Sequence, residues 1–146
     1  MVWRRGFLVS LPAGLLAACS DTAPDSPADQ VRERLVGTWL RDYEEQGTRV
    51  RRILVLEQSG NFREMSSLQP PDTAEPQLAQ GSGAWLYDGT NLKRRYARIN
   101  GQPLSAPVVP FVTFALRFTS RSQFVGVDHI RKREVSYQRV PDGTLP

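Results

Sequence analysis

The chain has 146 residues, 40% hydrophobic and 23% charged, with a formal net charge of +4, enough for one modest domain with a core of its own. One cysteine and one histidine exclude a disulfide framework and any zinc site built from nitrogen and sulfur ligands, so no metal or cofactor is expected. Arginine is abundant, but no recognised nucleic-acid-binding motif accompanies it, so nucleic acid is not an expected partner.

The first segment has a cationic start at Arg4 and Arg5, an apolar run from about Phe7 to Ala18, and then Leu16-Ala17-Ala18 directly before Cys19. With Pro12 and Gly14 inside it, the run is too short and too interrupted to span a bilayer as a helix. Residues 1–19 resemble a bacterial lipoprotein signal. In such signals a branched apolar residue and two small ones enter a narrow peptidase cleft, and a thiolate takes the lipid. The resemblance implies a signal peptide over residues 1–18, with Leu16, Ala17 and Ala18 as its recognition residues. It also implies a mature protein that begins at an acylated Cys19. Two or three acyl chains would hold such a protein firmly, since each buried methylene contributes about 0.8 kcal/mol. Ser20 after the cysteine favours the outer membrane, facing the periplasm, over the inner one. Arg4, Arg5, Phe7 and Leu8 also match part of a twin-arginine export signal, so both export routes stay open.

Residues 19–30 are rich in Ser, Asp, Ala and Pro and read as a flexible tether, with the folded body over residues 31–146. Ser26 as cap, Pro27 at the first helical position and Asp29 three residues after the cap predict a short helix that ends near Val36, before Gly37. Strands follow. Trp39, Leu40 and Tyr43 open the first; residues 48–58 and 61–68 make a hairpin around Ser59-Gly60-Asn61. Residues 69–80, with Pro70, Pro71 and Pro76, are expected to be a mobile loop, because proline removes a ladder donor. Residues 83–87 and 92–99 flank a turn at Asp88-Gly89, and Asn100-Gly101 marks another. Residues 111–119 alternate, with Val112, Phe114, Leu116 and Phe118 on one face. Residues 123–130 and 134–140 complete the series. The expected fold is mainly β: an antiparallel up-and-down barrel of about eight strands with a short N-terminal helix, closed so that no edge is left unpaired.

A helix, then Gly37-Thr38-Trp39 at the first strand, then local hairpins resemble a small lipocalin-like (calycin) domain over residues 31–140. The resemblance implies that Gly37 and Trp39 form the barrel floor, with an arginine stacked on the tryptophan. Arg139 and Arg133 are the two candidates. Gly83 and Trp85 repeat the spacing. The chain departs from a full lipocalin in being shorter and in having no helix after the barrel.

No catalytic constellation stands out, and no enzyme is expected. His129 and its neighbour Asp128 would point to opposite faces of a shared strand. Gly81-Ser82-Gly83 is too short for a phosphate loop and leads into a strand. The candidate ligand pocket comprises Trp85, Arg94, Tyr96, Arg98, Phe114, Leu116 and Phe118. Its aromatic and aliphatic members would either fill the core or line an apolar wall, and its arginines would hold an acidic head group. The expectation is an envelope lipoprotein, anchored to the membrane by lipid, that binds a small hydrophobic or envelope-derived ligand. The alternative is an interaction module that docks an envelope protein or an anionic surface through residues 69–80 and Arg131-Lys132-Arg133.

Overall fold

A computed structural model describes residues 26–105 and 111–146. Helix α1 spans Pro27–Leu35, four residues ahead of the body's expected start. Its N-terminus is the reciprocal capping box that the sequence predicts: the Ser26 hydroxyl accepts from the Asp29 amide, and the Asp29 carboxylate accepts from the Ser26 amide.

Among the described residues nine strands follow: β1 Gly37–Glu45, β2 Thr48–Leu56, β3 Asn61–Gln69, β4 Gln77–Tyr87, β5 Asn91–Ile99, the two-residue β6 Gln102–Pro103, β7 Phe111–Ser120, β8 Gln123–Asp128 and β9 Glu134–Val140. All pair antiparallel. Pairing of β4 with β5 and of β1 with β9 closes eight of them into a barrel, with β6 lying against the end of β5. This is the expected up-and-down barrel, and it is consistent with a lipocalin-like fold. The β1–β9 seam is the shortest part of the wall, joined by three residue pairs over Thr38–Leu40. Further along it, the Arg133 guanidinium bridges to Glu45 at 2.9 Å.

Two boundaries differ from the sequence expectation, and one strand carries an irregularity that the sequence does not show. Strand β4 starts at Gln77, not residue 83, so the proline-bearing connection covers only residues 70–76. Strand β8 stops at Asp128, not residue 130, because the Asp128 carboxylate captures the amides of Ile130 and Arg131 at 2.7 and 2.9 Å and turns the chain. Strand β5 carries a bulge, since Gly83 faces Tyr96 while Ser82 faces Arg98. Ala97 is therefore an extra residue that breaks the alternation.

The two ends of the barrel differ. At one end, which we call the closed end, α1 lies across the opening and the core is solid: Leu35, Trp39, Leu56, Trp85 and Phe124 are buried together, with Leu116 and Phe118 packed against them. Arg139 holds the helix in place by donating to the carbonyls of Val36, at 3.0 Å, and Arg34. These are end-of-helix acceptors with no helical donor of their own. Arg32 and Arg34 reach over the Trp85 and Phe118 rings and donate to the carbonyls of Gln58 and Ser120.

Candidate functional site

The opposite end of the barrel is open and holds a cavity of about 480 Å³, within the range of roughly 300–1,000 Å³ usual for small-molecule sites. Its walls come from the far ends of the same strands that pack the closed end. Along β1, inward positions run from Trp39 in the core through Arg41 to Tyr43; along β2, from Leu56 and Leu54 through Arg52 to Val50; along β3, from Phe62 through Glu64 and Ser66 to Leu68. Period-2 alternation thus carries each strand from apolar to polar and back to apolar as it climbs.

The polar layer is one connected cluster. Arg94 is 2% exposed, and its Nη1 donates to Glu64 Oε2. The Tyr96 hydroxyl donates to the same oxygen at 3.1 Å. Arg52 Nε donates to Ser66 Oγ at 3.0 Å and lies 3.5 Å from Glu64 Oε1. Burial by itself would raise the Glu64 carboxyl, but Arg94 and Arg52, with hydrogen bonds from Arg94 and Tyr96, outweigh it and hold the group below the usual glutamate range. Burial also works against the charge on Arg94, but Glu64 more than restores it. Burial raises the Tyr96 phenol, which stays protonated as a donor. Four buried side-chain polar atoms have no hydrogen-bond partner among the described residues, Arg51 Nε, Asn91 Oδ1, Arg94 Nε and the Tyr137 hydroxyl, and of these only Arg94 belongs to the cluster.

The walls above this layer are mixed: Tyr43, Val50, Leu68, Val112 and Phe114 supply apolar surface between the polar side chains of Arg41, Glu45, Thr113 and Asp128. The rim carries Phe111 and Ile130, 56% and 82% exposed, beside Arg131 and Arg133. Arg41 lies 3.9 Å over the Tyr43 ring. Five arginines line the cavity, against the carboxylates of Glu45 and Asp128 on its wall and Glu64 beneath.

The sequence-predicted residues are distributed unevenly. Arg94, Tyr96 and Phe114 border the cavity. Trp85, Leu116 and Phe118 do not: they belong to the closed end, where α1 seals the barrel and Trp85 Nε1 donates to the Glu57 carbonyl at 2.8 Å. Arg98 is also outside, because the bulge at Ala97 turns it to the exterior, where its Nη1 donates to the Gly101 carbonyl. Gly37 and Trp39 lie at the closed end; Trp39 is fully buried and donates Nε1 to the Leu35 carbonyl at 2.7 Å. Of the two candidate arginines, Arg139 stacks on it, 4.2 Å from the ring. A side chain at Gly37, whose φ is +131°, would run into that guanidinium. His129 is exposed in the β8–β9 turn. Cys19, Leu16, Ala17 and Ala18 lie outside the described residues.

Sequence reasoning missed Arg52 and Glu64, the partners that make Arg94 a cluster. A signal was present: both are charged residues at inward-facing positions of strands otherwise lined by Val, Leu and Phe. Among the described residues, no group of three or more His, Cys, Asp or Glu converges on a metal position, and no helix is long and apolar enough to cross a membrane. No protein-family model matches the chain, and no curated protein matches it.

Proposed function

We propose that the protein holds a small amphipathic molecule in the cup at the open end of its barrel, as a lipid-anchored lipoprotein of the cell envelope. One observation carries the reading. The cup has a charged floor at Arg52 and Arg94 and walls on which apolar Tyr43, Val50, Leu68 and Val112 alternate with polar side chains, while the opposite end is packed solid. A concave site where convergent polar groups meet apolar side chains suits a ligand that has both kinds of surface. The anchoring half of the proposal rests on Leu16-Ala17-Ala18-Cys19 and is independent of the cup.

Native mass spectrometry of the chain isolated from its own cells tests the binding half. The expected result is a co-purifying molecule that is released by organic solvent and displaced by a bulky residue on the wall, as in Val50→Trp. Bare protein that also takes up no amphiphile in solution would contradict it. Radiolabelled palmitate tests the anchor: it should enter the wild-type chain and fail to enter Cys19→Ser.

A second reading has its own support. On the outer wall, Leu86 and Phe111 are 51% and 56% exposed and flank a shallow groove of about 240 Å³ with Ala84, Lys93 and Arg95. Exposed apolar groups with basic neighbours suit an envelope protein partner. This reading predicts a barrel that carries no ligand and loses its partner on Leu86→Asp.

A further inference from the structure

One side of the barrel mouth carries apolar side chains that the fold does not bury, set among cations that it leaves unpaired. Phe111 is 56% exposed and Ile130 82%, and both line the mouth. Local pairing keeps them close. The His129 amide donates to the Thr113 carbonyl at 3.2 Å, so the turn between β8 and β9 begins against the start of β7. A polar frame then holds Ile130 at the tip of that turn. The Asp128 carboxylate accepts from the amides of Ile130 and Arg131, the Lys132 amide donates to the Asp128 carbonyl at 2.9 Å, and Lys132 takes a φ of +55°. Arg131 and Lys132 follow the tip, and Arg95 on β5 is the register partner of Phe111. Among the described residues none of these three cations forms an ion pair. The acids that line the mouth beside them are already engaged, Glu45 by Arg133 at 2.9 Å and Asp128 by the amides of its own turn. Asp72 and Glu75 lie in the connection between β3 and β4, away from the β5, β7 and β8 side.

We infer that this side of the mouth docks the barrel on an anionic lipid leaflet, with Ile130 and Phe111 inserted among the headgroups and Arg95, Arg131 and Lys132 on lipid phosphates. The inference depends on neither a ligand in the cup nor an acyl anchor. Single exposed apolar residues need no explanation. Here two neighbouring ones are flanked by unpaired cations, the composition of a surface that enters a membrane interface. Shape favours lipid over protein. A side chain that protrudes from a turn tip needs a matching pocket on a protein partner, whereas a fluid leaflet accepts it without one. Charge favours an anionic leaflet, because each Lys or Arg near such a surface strengthens binding roughly fivefold. A second copy of the chain would bring its own cations to the same place and be repelled.

The test reads membrane depth at single positions of the full chain, so it does not matter what else draws the chain to lipid. In a Cys19→Ser background, which removes the one cysteine, His129→Cys carries a nitrobenzoxadiazole label beside the tip. Arg121→Cys carries the same label in the turn between β7 and β8, at the closed end. Both positions are exposed. With vesicles of equal parts phosphatidylglycerol and phosphatidylcholine, emission from position 129 should shift to the blue and be quenched by spin-labelled lipid, while position 121 stays in water. High salt should reverse the shift. Arg131→Gln together with Lys132→Gln should raise the lipid concentration for half the shift roughly twentyfold, the product of two such charges. Ile130→Ser should raise it severalfold and leave the urea midpoint unchanged, because the fold does not bury that side chain. The inference is overturned if the label at 129 stays in water, if it responds equally to pure phosphatidylcholine, or if it enters lipid only together with the label at 121. An unchanged response in the double glutamine variant overturns it too. So does a blue shift without vesicles that grows with protein concentration, since a second copy would then be what covers the tip.

Discussion

At the scale of single residues, Trp39 and Glu64 carry opposite burdens. Trp39 is fully buried, edge-on to Phe124 at 4.7 Å, hydrogen-bonded to Leu35 and covered by Arg139. Trp39→Ala would remove a large core side chain and leave α1 without its seat, costing about 3–5 kcal/mol in urea unfolding. A loss below 1 kcal/mol would mean that the closed end is not packed as described. Glu64 is held ionised by its two arginines in the fold, so its folded carboxyl titrates below its unfolded one. The sign follows: the pair contributes stability above about pH 4.3, the ordinary glutamate value, and loses it as pH falls through the folded value. The stability gap between wild type and Glu64→Gln should therefore shrink on acidification below about pH 4. A gap that stays constant through that range would contradict an ionised Glu64. Neither burden shows in the local sequence. Trp39 is marked only by its spacing from Gly37, and Glu64, the one acid of β3, reads like any solvated charge, because burial of a charge depends on which partners the other strands bring.

Among the elements, β4 explains most of what the sequence concealed. Its first half has no apolar alternation, so nothing distinguished Gln77–Gly81 from the proline-rich loop before it. The fold supplies the reason. A Cβ at Gly81 would lie 2.7 Å from the Tyr96 ring, so the half-buried positions Ala79 and Gly81 are small and leave room for an aromatic ring from β5. Gly126 on β8 does the same for Phe114, whose Cβ would be 2.8 Å from an added methyl. Strands that host rings through glycine carry no hydrophobic signature of their own. Gly81→Val should push Tyr96 off Glu64 and cost about 1–3 kcal/mol through overpacking, read as a lower urea midpoint; an unchanged midpoint would place the ring elsewhere. By contrast β7, with its clean alternation, was legible to within a residue, and so was α1, whose cap and first turn are local chemistry. The bulge in β5 was not, because an extra residue shows only against the register of a partner. That single bulge is why Arg98 leaves the face it was expected to share with Arg94 and Tyr96.

For the whole molecule, the barrel divides its labour along its axis. Helix α1 and the arginines at 32, 34 and 139 seal one end, so stability can rest on that half. The other half is then free to be polar and hollow. Strand count, meander order and the N-terminal helix were all readable from turn spacing, since each connection is local. Which end would be hollow was not, because the apolar residues singled out from the sequence were the ones best suited to fill the core. A core needs large apolar groups, whereas the cup keeps charged ones. Backbone amide chemical shifts of the isotope-labelled full chain during titration with decanoate test this division most directly. Changes should concentrate at Arg41–Arg52, Glu64–Leu68, Arg94–Tyr96 and Val112–Phe114, with Leu35, Trp39, Leu56 and Phe124 unmoved. Changes centred on Trp39 and Trp85, or on the outer wall around Leu86, would contradict it.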